Sequence, residues 1–261
     1  MDGGGTVTEF FGLPLDGRLA LVAGAAALGG FLRGFVGFGG ALVSVPVLSL
    51  VFGPRMAVAV ASVMALPSVF QLLPDAIRHS EKPIVVPVGL ATLVTTPVGS
   101  WFLMAASPAL MKIVISGLVV VMVGFLASGW SFKGHIGKPT LIAAGILGGL
   151  VQGSAGIGGP PVVAIALSRP GGAAAQRGNV LAVMTAIALS SLLPLIYYGL
   201  YTQQAVIIGM LLLPFYVAAT VLGSRYFALG GHRYFRRAAL GTLAAVGLAT
   251  FIAAINDYLM S

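Results

Sequence analysis

Long apolar runs, punctuated by single charges and by clusters of glycine, dominate the chain. Six runs reach the roughly 20 residues that a helix needs to cross a bilayer: 56–74, 83–104, 109–130, 178–198, 204–226 and 238–256. Two further stretches, 18–53 and 139–168, are too long for one crossing, and glycines interrupt each of them near its middle. Pro67, Pro87, Pro97, Pro194 and Pro214 fall inside predicted spans, where kinks are their expected contribution. Trp101, Trp130, Tyr197, Tyr198 and Tyr201 fall near span ends, as an interfacial belt of aromatics requires.

The two glycine-broken stretches are copies of each other. Leu28 to Gly40, LGGFLRGFVGFGG, aligns without gaps onto Leu147 to Gly159, LGGLVQGSAGIGG, at a constant offset of 119. Six glycines coincide. Further along, Lys112 and Gly117 match Arg236 and Gly241, and Gly99-Ser100 matches Gly223-Ser224, both at an offset of 124. The chain therefore divides into a tail over 1–17, a first repeat over 18–130, a linker over 131–138 and a second repeat over 139–261.

Charge placement bears on how the repeats are oriented, because cytoplasmic loops collect Lys and Arg. If each broken stretch crosses once, the two sides hold five and eight basic residues, a weak bias. If each is a hairpin that enters and leaves on one face, one side holds only Arg18, Arg55 and Lys112, and the other holds ten. The hairpin arrangement is preferred. Each repeat is then a broken, re-entrant helical hairpin plus three transmembrane helices, and an odd number of crossings inverts the second repeat relative to the first. The expected fold is an all-α polytopic membrane protein of two inverted repeats with both termini outside the cytoplasm. The first sixteen residues carry Asp2, Glu9 and Asp16 without a Lys or Arg, unlike a signal peptide, which starts basic.

Composition agrees with this reading. Of 261 residues 58% are hydrophobic and 8% charged, against about a quarter charged in a soluble domain. The basic excess, 14 Lys+Arg over 6 Asp+Glu, consists of single residues between apolar runs rather than a stripe, so nucleic acid is not an expected partner. Cysteine is absent. His79, His135 and His232 are far apart in predicted loops, without ligand spacing, so no metal and no cofactor is expected. Asp75 and Glu81 flank Arg78 and Lys82 at a span end and Asp257 lies near the C-terminus, leaving no acid at mid-depth for a proton relay. No pairing of nucleophile and base is visible, and an enzyme is not expected.

The chemistry is expected at the glycine tips. Backbone released from a helix is tolerated at membrane depth only against protein or a water-filled cavity. The second arm of each hairpin starts just after the glycines, near Gly40 and near Pro160, and a helix start offers free N–H groups and a partial positive charge. Arg33 stands at the first tip and Gln152 at the equivalent place in the second. The candidate substrate-binding residues are Arg33, Gly37, Gly39, Gly40, Gln152, Gly156, Gly158, Gly159 and Pro160. Ser44, Ser62, Ser154 and Asn179 are candidates for the pathway, with Thr185 and Ser190 as further neutral polar groups. The competing reading of the glycines is close helix packing, which the Gly30/Gly34 and Gly149/Gly153 spacings fit.

The segments Phe35 to Leu48, FVGFGGALVSVPVL, and Gln152 to Leu167, QGSAGIGGPPVVAIAL, resemble the two signature segments of the sulfite exporter TauE/SafE family, the TSUP permeases. The resemblance covers essentially the whole chain. It implies a permease of the bacterial inner membrane for sulfur-containing or organic anions such as sulfite or sulfonates. By motif match it carries over Gly37, Gly39, Gly40 and Pro46, then Gly156, Gly158, Gly159 and Pro161. The family pattern often has a third glycine where this chain has Ala41, which leaves the ligand's shape open. The expected activity is an anion transporter, and export the expected direction, by alternating access around the tips. An anion-selective channel is the first alternative. The expected partners are a small anionic substrate and the lipid bilayer, with a homodimer left open.

Overall fold

The structure, a computed structural model, describes residues 9–10, 13–14, 17–36, 38–128, 136–167, 173–228 and 232–260. Most of the expected tail and linker, with Gly37, Trp130, Lys133 and His135, falls outside them, as do the side chains of Asp75, His79 and His232. A two-residue antiparallel ladder pairs Glu9–Phe10 with Leu13–Pro14, and the rest is helical. The first half holds α1 (Gly17–Val36), α2 (Gly40–Phe52), α3 (Pro54–His79), α4 (Lys82–Ala105) and α5 (Pro108–Ala127). The second half holds α6 (Lys138–Ala155), α7 (Gly159–Leu167), α8 (Ala173–Ser190), α9 (Leu192–Tyr197), α10 (Gln203–Ala228) and α11 (His232–Met260).

Among the described residues six helical segments are long and apolar enough to cross a membrane. The protein is a multi-pass, all-α membrane protein. Its surface carries the large apolar side chains, with Val94 72%, Leu193 67% and Phe70 63% exposed, an arrangement that lipid favours and water does not. Proline opens α3, α4, α5 and α6, at the position where a helix has no use for the missing N–H.

Three details depart from the sequence pattern. The first arm of the first hairpin, Gly17–Phe35, is itself of spanning length, whereas the apolar part of α3, Pro54–Phe70, is shorter. The run 178–198 is one span interrupted at Ser191, between α8 and α9. Pro194 lies three residues further on and cannot donate a backbone hydrogen bond across the break. Arg55 is more than a topology signal: its Nη2 donates to the Met104 carbonyl at 2.6 Å, satisfying the C-terminal end of α4.

Each hairpin's long arm packs chiefly against a long helix of the other half, α1 against α10 and α6 against α4. Glycine makes these contacts possible. A Cβ on Gly34 would stand 2.0 Å from the Thr220 carbonyl oxygen, and one on Gly223 would stand 2.2 Å from that of Phe31. In the other pair, a Cβ on Gly153 would stand 2.1 Å from the Thr96 oxygen, and one on Gly99 would stand 2.3 Å from that of Leu150. The two sets correspond residue by residue at the offsets of 119 and 124 found in the sequence. Gly99 and Gly223 thus sit inside helices as packing points, and the glycine-serine pairs are not turns.

The equivalent helices α5 and α11 pack on each other in opposite directions. Lys112 pairs with Asp257. A Cβ on Gly117 would lie 3.3 Å from the Phe251 ring, and one on Gly247 would lie 3.0 Å from Val119. The partners descend along α11 as the residues ascend along α5.

Candidate functional site: a cavity between two glycine tips

The first tip joins α1 to α2. Arg33 occupies the last turn of α1, where the exposed carbonyl ends of the helix favour a cation. Gly39 turns the chain with φ of 93°, in the left-handed region that a side chain disfavours. Helix α2 then starts at Gly40, the N-terminal end of its dipole beside the Arg33 side chain. Gly40 has no room for a Cβ, which would meet the Tyr216 hydroxyl at 2.6 Å, the Gly29 carbonyl oxygen at 2.9 Å and Arg33 Cβ at 3.3 Å. The Ser44 hydroxyl donates back to the Gly40 carbonyl at 3.0 Å, a bond local to the helix.

The second tip joins α6 to α7. Gly156, at φ of 70°, ends α6 in a left-handed cap, and its N–H donates to the Gln152 carbonyl at 2.8 Å. The Gln152 side chain folds back on its own loop, its Oε1 accepting from the Gly158 N–H at 3.1 Å. Gly158 is pressed against the preceding helix, since a Cβ there would lie 2.1 Å from the Gly148 carbonyl oxygen. Helix α7 opens with Gly159, Pro160 and Pro161, and the two prolines have no N–H to offer.

Both tips face one cavity of about 80 Å³. At roughly 10–15 Å³ for each water, it holds several waters or one small oxyanion. The first tip contributes Arg33, Gly39, Gly40 and Ser44 to its wall, and the second contributes Gln152, Gly156, Gly159 and Pro160. Ser62 of α3, Met184 of α8, Ser191 at the break between α8 and α9, and Tyr216 of α10 complete the polar and polarisable part of the lining. The Ser62 hydroxyl is also within 2.8 Å of the Tyr201 hydroxyl, tying α3 to the segment before α10.

Three candidates lie elsewhere. Gly158 is in the second tip but outside the cavity wall. The Ser154 hydroxyl donates to the Leu150 carbonyl at 2.8 Å. The Asn179 Oδ1 accepts the Glu81 N–H at 2.7 Å, at the start of α4. Three polar or polarisable wall residues, Met184, Ser191 and Tyr216, were not visible in the sequence pattern. Tyr216 falls opposite Thr92 at the offset of 124, so the repeat correspondence, which finds matched residues, passes over it.

The family model described as "Sulfite exporter TauE/SafE" matches residues 22–250. The chain belongs to the sulfite exporter TauE/SafE family. A curated protein of Cupriavidus necator named "Probable sulfite/organosulfonate exporter TauE" is 26% identical over 254 residues, covering 95% of this chain and 98% of that one. No solved structure matches the chain.

In this TauE/SafE member the cavity is electrically lopsided. Among the described residues Arg33 is the one charge in the wall, and no carboxylate lines it. Its Nε is buried without a hydrogen-bond partner. Its guanidinium interacts with the Tyr216 hydroxyl, which is itself buried. Among the described residues the ion pair is that of Lys112 with Asp257, far along the chain from this site. With its Nε shielded from water and unpartnered, this half-buried cation gains from a negative group in the cavity.

Proposed function

We propose that the protein exports a small sulfur-containing or organic anion, sulfite or a short sulfonate, across the bacterial inner membrane. The observation that carries this reading is a cavity walled by both glycine tips, in which Arg33, its Nε without a hydrogen-bond partner, is the one charge among the described lining residues. The anion's oxygens take hydrogen bonds from Arg33 and from the N–H groups at the start of α2. Arginine's forked donors suit a pair of oxygens on one centre. The relative from Cupriavidus necator, named a probable sulfite/organosulfonate exporter, supports this class of substrate.

Alternating access is the proposed mode. The two halves act as inverted repeats, a reading supported by the antiparallel packing of the equivalent helices α5 and α11 and by the reciprocal pairs α1/α10 and α6/α4. In secondary transporters such repeats place the substrate at the midplane, between broken helices. With both hairpins re-entrant, both termini face away from the cytoplasm. An inside-negative potential expels each unit of negative charge by about 2.3 kcal/mol per 100 mV, so export runs without a coupled proton, in keeping with a cavity wall free of acids.

Proteoliposomes loaded with sulfite or ethanesulfonate test the reading. Efflux should saturate, show counterflow and follow an imposed voltage. Efflux that ignores voltage and follows a pH gradient contradicts the energetics, and flux without saturation or counterflow makes the protein a channel.

A further inference from the structure

Tyr216 reaches the first tip from α10, a helix of the other half. It is only 3% exposed, yet it belongs to the cavity wall. Its hydroxyl lies 2.6 Å from where a Cβ of Gly40 would be, and therefore beside the first residue of α2. The Arg33 guanidinium is close enough to attract it electrostatically. Guanidinium has donors and no acceptor, so it faces the phenol oxygen as a donor. The phenol's own proton is left over. A cation on the oxygen side polarises the O–H bond and makes that proton a stronger donor.

The geometry points to Tyr216 as a substrate-contacting residue: its O–H, polarised by Arg33, donates a hydrogen bond to the same anion that Arg33 and the α2 N-terminus hold. The assignment rests on the anion site proposed above and adds a donor that the repeat pattern does not contain. It places the anion's donors at the first tip, while both tips wall the cavity. At the position equivalent to Tyr216 the second tip has Thr92, whose hydroxyl is spent on the Gly89 carbonyl at 2.8 Å.

The test is anion binding to purified protein in detergent micelles at slightly acid pH, with sulfite and ethanesulfonate as probes. Tyr216→Phe keeps the ring and removes the hydroxyl. It should weaken binding of both probes about 10- to 100-fold, the range for a lost hydrogen bond to a charged group, with the melting temperature in the absence of anion held near the wild-type value. Site-specific 3-fluorotyrosine at 216 separates a direct contact from a merely positioning one and hardly alters size. Fluorination makes the phenol a better donor and a poorer acceptor. Tighter anion binding supports the direct contact; weaker binding means that Tyr216 serves only as an acceptor for Arg33, and overturns the assignment. Unchanged binding in Tyr216→Phe overturns it too and leaves the anion site standing, whereas a wild-type protein that binds neither probe removes both.

Discussion

The two tips share six glycines and almost nothing of their chemistry. At the first, Arg33 and the Tyr216 hydroxyl meet the start of α2, whose N–H groups are intact from Gly40 onward. At the second, the equivalent of Arg33 is Gln152, whose amide oxygen is spent on the Gly158 N–H at 3.1 Å, and two prolines remove donors from the first turn of α7. The backbone break is common to both and the charge belongs to one. A duplicated scaffold thus supplies two loops that wall a cavity, and among the described residues only one of them brings a charge to it, the one proposed to hold the anion.

Substitutions that push the tips together or apart test this contrast. The largest effect is expected from Gly158→Ala, whose Cβ would lie 2.1 Å from the Gly148 carbonyl oxygen and 2.9 Å from the Gln152 backbone nitrogen. Overpacking against backbone should cost about 3 kcal/mol, read as a large drop in melting temperature with or without anion. Next comes Arg33→Gln, which gives the first tip the residue of the second. Anion affinity should fall about 10- to 100-fold, while the melting temperature without anion holds or rises, because a half-buried cation whose Nε has no partner has gone. Equal affinity in wild type and Arg33→Gln would abolish the asymmetry. Gln152→Ala leaves the Gly158 N–H without its partner and should cost about 1 kcal/mol in stability, with anion affinity within about twofold of wild type. A loss as large as that of Arg33→Gln would make the second tip an equal ligand. The smallest effect is expected from Ser44→Val, which copies Val163 of the second repeat. The lost hydroxyl bonds only to Gly40 within its own helix, so the change should be under about 1 kcal/mol, and a flux assay should barely register it.

The fold was legible because lipid imposes coarse demands. Runs of about 20 apolar residues are needed to cross, and a duplicated break shows up as coincident glycines at a fixed offset. The placement of Arg33 and of the glycines at the cavity followed from the same pattern. What escaped it depends on three-dimensional partners. Tyr216 lies 183 positions beyond Arg33, on a helix of the other half, and nothing local marks it. Gln152 was legible as a tip residue, but not that its side chain would turn inward to the Gly158 N–H. Asn179 reads as a polar group in a span and is instead committed to the Glu81 N–H. The packing glycines at 30, 34, 149 and 153 and the cavity glycines at 39, 40, 156 and 159 look alike in sequence; only the atoms opposite each one separate scaffold from site.

The glycine seams also dictate which parts travel together. Where carbonyl oxygens of one helix sit within about a van der Waals contact of the α-carbons of the next, there are no intervening side chains to change rotamer, and sliding would drive backbone into backbone. The couples α1/α10 and α6/α4 are therefore stiff units, each assembled from one helix of either half. Any rocking that opens the cavity to alternate sides has its pivots at other contacts, with α3 against α8 and α5 against α11 the places to look. The moving bodies of this exporter would then be chimaeras of the two halves, and cutting the gene between them would separate neither.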